Sequence, residues 1–220
     1  MPHTKRIWDL PTRLFHWTLA ASVIALVATA KVGGAAMDWH FRLGYLVLAL
    51  LLFRLVWGFV GGHWSRFVNF LPLPHRTLAY LRGRAEVHEV AGHTPLGAWS
   101  VLALLLVLAV QVVSGLSTDD AISFTGPLAP HVPSGFVDWA SGWHKGTGQW
   151  LVIGLVVLHV AAVLVYLLTK GRNLTRTMLT GDGPADASVP ASRDSAGTRL
   201  LALVLALAAG AAAYGVYRLG

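Results

Sequence analysis

The chain has 220 residues, of which 55% are hydrophobic and only 12% charged, with a formal net charge of +7 and no cysteine. A soluble domain carries a charged fraction of about 25%, and the apolar residues here gather into long runs, the pattern of membrane-spanning segments. The missing thiols exclude disulfides, iron–sulfur clusters, thiolate zinc sites and covalent haem attachment through CxxCH. The basic residues flank the apolar runs rather than forming a patch, so no nucleic acid partner is expected and membrane lipid is.

Taken in chain order, the runs lie at about Leu14 to Gly33, Phe41 to Val60, Leu96 to Leu116, Gly146 to Leu168 and Leu200 to Tyr217. Each holds about 18–23 residues, enough to cross roughly 30 Å of hydrocarbon at 1.5 Å per residue. Backbone groups in lipid must bond within their own segment, so each run is predicted to be a helix. Lys5 and Arg6 before the first run, and Ala28-Thr29-Ala30 near its end, invite comparison with a signal peptide. The run is long for one and opens on His16 and Trp17, and it is read as a retained helix.

Orientation follows the Lys and Arg residues of the connections. Lys5, Arg6 and Arg13, then Arg66, Arg76, Arg82 and Arg84, then Lys170, Arg172, Arg176 and Arg193 mark three cytoplasmic segments. The loops around Asp38 and around Asp119, Asp120 and Asp138 lack such residues and are assigned outward. The N-terminus is therefore expected on the cytoplasmic side of a bacterial inner membrane, and the C-terminus with Arg218 outside. Thr180 to Ala196 is rich in Gly, Pro, Ser, Ala and Asp and reads as a flexible linker. The expected organisation is a transmembrane domain over 1–179, a linker over 180–198 and an additional C-terminal span over 199–220. That last span, Leu/Ala-rich, is read as a lipid-facing or partner-binding helix, with Gly210 permitting close packing.

Ionisable residues inside spans are rare and usually functional. Of ten histidines, His3, His75, His88 and His131 fall in polar or Pro-rich loops and are expected to be solvated. His63 and His93 fall at the cytoplasmic ends of helices and are expected to be interfacial, within reach of a cofactor edge. His16, His40, His144 and His159 remain. His159 follows His144 by 15 residues, about 22 Å of rise and about 60° of rotation on one continuous helix. Helix four would then offer two imidazoles at two depths, the outer level with His40 and the inner near His16. Two bis-imidazole pairs, His40 with His144 and His16 with His159, suit two b-type haems held noncovalently between helices. The bland alternative is four interfacial or helix-capping histidines.

Neighbouring residues bear on the same site. Gly44 follows His40, and Gly148 follows His144, by one helical turn, where a missing side chain would leave room for a porphyrin plane. Arg54 lies 14 residues after His40, about 21 Å deeper and about 40° from its face. Buried there, its guanidinium calls for a haem carboxylate, a quinone oxygen or a carbonyl, unless it snorkels to the interface. Gln111 and Ser114 are read as satisfying helix–helix hydrogen bonds rather than forming a quinone site.

IWDLPTRLFHW (7–17), HFRLGY (40–45), FRLVWGFVGGHWSRF (53–67), GHTPLGAW (92–99), WHKGTGQWLVIGLVVLHV (143–160) and RNLTRTMLTG (172–181) carry a family resemblance. The chain resembles the bacterial di-haem cytochrome b family that includes cytochrome b561 and the cytochrome b subunits of nickel–iron hydrogenases. The resemblance covers about 5–182. It implies an all-α membrane protein with a four-helix transmembrane bundle and two haem b groups, ligated by His16, His40, His144 and His159. It also implies electron transfer between the quinone pool, ubiquinone or menaquinone, and a partner such as a c-type cytochrome or a hydrogenase. Whether the chain is itself an enzyme depends on a direct quinone or superoxide reaction. The fifth helix departs from the family's four-helix core. Two other functions compete: a histidine-based proton or divalent-metal transporter, against which stands the lack of acidic residues within the five runs, and a haem-free membrane anchor subunit.

Overall fold

The computed structural model describes residues 3–84, 91–121 and 124–220. The side chain of His3, and the whole of His88, both read above as solvated, lie outside what is described. Five segments are long and apolar enough to cross a membrane: Leu10–Val32, Gly34–Val60, Pro95–Leu116, Ser134–Lys170 and Ala196–Tyr217. The protein is an all-α membrane bundle of these spans, with short elements at their ends.

In chain order, strand β1 (His3–Arg6) precedes helix α1 (Leu10–Val32), and a 3-10 turn at Gly34–Ala36 leads into α2 (Met37–Val60). Gly33 and Gly34, at φ 66 and 54°, turn the chain out of α1 through left-handed backbone. A second 3-10 turn (His63–Ser65), α3 (Phe67–Phe70) and α4 (Pro74–Leu81) follow, where the sequence suggested only a loop. Next come α5 (Pro95–Leu116), α6 (Ser134–Lys145), α7 (Thr147–Lys170), α8 (Leu174–Thr180), β2 (Asp182–Ala185) and α9 (Ala196–Tyr217).

Two expectations are corrected. The fourth span begins well before Gly146, and it is broken there: Gly146 separates α6 from α7 at φ −108°, ψ −107°. His144 and His159 therefore stand on two helical pieces, and rotation along a single ideal helix does not relate them. The segment read as a flexible linker is packed. Its β2 pairs antiparallel with β1, Arg6 opposite Asp182. Val189 is 1% exposed, and Ser192 donates its amide to Arg6 O at 2.7 Å and its hydroxyl to Ile7 O at 2.6 Å. Partners from the N-terminus, not local propensity, order this stretch.

The chain forms two compact units. One comprises Met1–His16, Arg54–Ala103 and Val157–Leu205. Its core joins Ile7, Trp8, Trp64, Ala185 and Val189, with Met178 and Ala91 against them. Gly181, left-handed at φ 86°, ends α8 and presents its carbonyl to the amides of Ile7 (2.8 Å) and Trp8 (3.0 Å). The other unit comprises Trp17–Phe53, Leu104–Val156 and Ala206–Gly220. There Val23, Leu108 and Val152 form the buried centre, supported by Leu19, Leu51, Val107 and Val156.

Candidate functional site

Each unit brings together one of the expected histidine pairs. In the second unit, α2 and α6 hold His40 and His144 with ring centroids 6.0 Å apart and planes crossed at 86°. In the first unit, α1 and α7 hold His16 and His159 with centroids 6.3 Å apart and planes at 51°. A metal–imidazole bond of about 2 Å plus about 1.1 Å from nitrogen to ring centroid puts two axial imidazoles about 6.2 Å apart. Both separations therefore suit one iron between the rings. Among the described residues no group of three or more His, Cys, Asp or Glu is placed to hold a metal ion, so each pair offers two protein ligands. That number fits an iron whose other four ligands come from a porphyrin.

The second unit also fixes the tautomers. His40 Nδ1 lies 3.0 Å from Leu26 O, and His144 Nδ1 lies 2.8 Å from Gln111 O. A carbonyl only accepts, so Nδ1 carries the proton in each ring and leaves the Nε2 lone pair for a metal, the usual arrangement around ligating histidines. Gln111 acts twice: its Nε2 donates 2.8 Å to His144 O, tying the end of α6 to α5 just before the break at Gly146. Sequence reading assigned Gln111 to helix–helix bonding, and this is the bond it makes.

The two glycines behave differently. A Cβ on Gly44 would meet nothing within 4 Å, so open space lies one turn from His40. A Cβ on Gly148 would lie 2.1 Å from Gln111 Oε1 and 2.4 Å from Trp143 Nε1. Gly148 thus makes room for those side chains rather than for a ring plane. Gly115 was missed by sequence reading: its Cβ would lie 2.6 Å from His144 Cε1, so His144 occupies the space an α5 side chain would take. A lone glycine among Leu and Val gave no signal of that contact.

The first unit also buries a polar network. Asp9, fully buried, accepts from Thr12 N (2.8 Å), Ser65 Oγ (2.6 Å), Gly62 N (3.2 Å) and Trp57 Nε1 (3.3 Å). Two donors meet each oxygen of this carboxylate, Thr12 and Trp57 at Oδ1 and Gly62 and Ser65 at Oδ2. Arg54, 3% exposed, donates Nη1 to Ser65 O at 3.0 Å, and its guanidinium lies 4.7 Å from the Phe67 ring centroid. It does not snorkel. Its carbonyl partner meets one of the three expectations raised for it.

The remaining histidines separate. His75 and His131 are exposed, as expected, although His75 stands on α4 rather than in a loop. His63 packs edge-on to Trp64 at 4.8 Å, with its pKa lowered by burial and then by Arg66. His93 sits between Phe70 (4.4 Å) and Trp8 (4.7 Å), close enough to His16 and His159 to feel their charge. Its ordinary pKa falls to about 3, first through desolvation and then through Arg54, His16 and His159.

The chain is similar to known proteins. The probable Ni/Fe-hydrogenase B-type cytochrome subunit of Azotobacter vinelandii is 27% identical, with 80% of this chain and 86% of the relative covered. Its counterpart in Bradyrhizobium diazoefficiens is 25% identical, over 81% and 85%. The probable Ni/Fe-hydrogenase 1 B-type cytochrome subunit of Escherichia coli K12 is 23% identical, over 80% and 88%. No solved structure matches the chain. The family described as prokaryotic cytochrome b561 matches residues 7–181, from the start of the first unit's core to the glycine that ends α8, and the chain belongs to that family.

Proposed function

We propose that this membrane cytochrome b holds two haem b groups and passes single electrons between the quinone pool and a redox partner, a nickel–iron hydrogenase being the partner the relatives' names suggest. The observation that carries the reading is the pair of imidazole couples at 6.0 and 6.3 Å. A haem b at each couple supplies reversible one-electron exchange at its iron. The chain's own residues do the rest. Leu26 and Gln111 orient His40 and His144 through their carbonyls. The His40–His144 couple, with the open space at Gly44, is assigned to the outer side of a bacterial inner membrane. The His16–His159 couple, in the same unit as Arg54, is assigned to the cytoplasmic side. This orientation rests on the Lys and Arg residues of the connections.

Reduced-minus-oxidised spectra of the detergent-purified chain test the proposal. Two bis-imidazole haems per chain are expected, and His159→Ala should remove about half of the absorbance while leaving the low-spin signature of the other site. A colourless protein would sink the reading, as would His159→Ala that spares all haem, or that removes all of it from a folded chain.

A further inference from the structure

His93 is not accounted for by either imidazole couple. It precedes α5 in GHTPLGAW, and its Nδ1 is shielded from solvent with no hydrogen-bond partner among the described residues. A buried polar atom without a partner is costly, so it marks a place where something else is expected to bond. The ring is held still by Phe70 and Trp8. Phe70 also lies 5.9 Å from the Arg54 guanidinium, so Arg54 and His93 share one aromatic neighbour. Arg54 has five N–H donors in all, and its bond to Ser65 O uses one. Among the described residues no carboxylate lies within ion-pair distance of Arg54. Asp9 is in its electrostatic range, but that carboxylate is already bonded by Thr12, Ser65, Gly62 and Trp57. The charged and ionisable groups felt by His93 are Arg54, His16 and His159, all cationic or neutral.

We infer that Arg54 and His93 together bind a carboxylate of the haem held by His16 and His159, Arg54 supplying the charge and His93 an N–H donor. The inference rests on the two-haem reading. A carboxylate is the chemistry the site lacks: it accepts from both groups and neutralises a buried guanidinium that is costly unpaired. Haem b carries such carboxylates on its edge. The depressed pKa of His93 is compatible with the role, because a neutral imidazole still donates one N–H.

The full chain, loaded with haem b or with its dimethyl ester, tests this. The His16–His159 haem is first identified as the spectral component absent from His159→Ala. At that site the wild-type chain should hold haem b over the ester by about tenfold or more, as expected of a charge-assisted pair. Arg54→Gln should abolish that preference, and His93→Leu should reduce it, while His93→Gln, which keeps a donor, should retain most of it. Arg54→Gln should also lower the midpoint potential of that haem alone, by about 59 mV for a tenfold change in a one-electron equilibrium. If Arg54→Gln does not fold, Arg54→Lys and His93→Leu carry the same comparison, with Lys giving the smaller loss. Equal binding of haem and ester by the wild type would overturn the inference. So would a preference that survives the variants, or a switch to high spin in His93→Leu, which would make His93 an axial ligand. Failure to find two components in the wild-type spectrum sinks the two-haem reading instead.

Discussion

A single glycine decides whether His144 of the His40–His144 couple has room. Gly115 gives His144 its place on α5, since a Cβ there would sit 2.6 Å from the ring. Gly115→Ala must either push His144 off its bond to Gln111 O or shift α5, an overpacking cost of about 1–3 kcal/mol. The expected result is loss of one haem component, with the other unchanged, and a lower melting temperature of the purified chain. Gly44 makes the opposite case. Its Cβ would meet no protein atom, so Gly44→Leu should leave folding intact. If the porphyrin fills that space, the same substitution removes the same haem component without lowering the melting temperature of the haem-free chain. A Gly44→Leu protein with full haem content would show that the ring plane lies elsewhere. The HxxxG spacing made Gly44 and Gly148 look equivalent in sequence, and only tertiary contacts separate them: Gln111 and Trp143 fill the space at Gly148, and nothing fills it at Gly44.

Hydropathy and length were enough to find the spans, because lipid leaves a backbone no choice but internal hydrogen bonds. The elements between them were harder to read. The stretch around β2 has the composition of a linker, and its partners, Arg6, Ile7 and Trp64, stand over 120 residues away in sequence. Asp194, just before α9, closes this clasp onto Arg6 (3.6 Å) and Arg199 (2.9 Å). Burial alone would raise its pKa, but the Arg199 hydrogen bond, the Leu10 backbone and the Arg6 charge outweigh burial and hold it below the ordinary 3.8. A depressed carboxylate pKa stabilises the fold above the unfolded value and loses that contribution as pH falls through the folded one. The clasp is therefore expected to hold at neutral pH and to loosen below about pH 4, near the reference aspartate value. Limited proteolysis between 182 and 198, followed across pH, measures this. Asp194→Asn should be cut faster at pH 7 and show a flatter pH response; a wild-type profile unchanged from pH 7 to pH 3 would remove Asp194 from the role.

At the scale of the molecule, the family match stops at residue 181, so α9 and the segment leading to it lie outside the matched region. This part is not loosely attached. α9 turns Ala202, Ala209 and Ala213 inward, each under 10% exposed, and Tyr217 packs edge-on to Tyr45 at 5.4 Å. Small residues along one stripe let a helix approach its neighbours closely in lipid, where dispersion rather than water exclusion drives contact. Neither the His16–His159 couple nor the His40–His144 couple includes a residue of α9, so on the proposed two-haem reading haem loading is expected not to need it. A chain ending at 195 keeps β2, Val189 and Ser192 on the N-terminal strand and should retain both haem components, with a modest fall in melting temperature. A chain ending at 181 also loses the partners of Ile7 and Trp64, exposes apolar surface in the first unit's core, and should be much less stable. The same two ends read the orientation. With Lys5, Arg6 and Arg13 in the cytoplasm, as proposed, the five spans found among the described residues would put residue 220 on the other side. A periplasm-dependent phosphatase fused after 220 should be active and a fluorescent reporter there dark, with both outcomes reversed for fusions after 195. Matching signals at the two positions would mean that α9 does not cross the bilayer and lies along its surface instead.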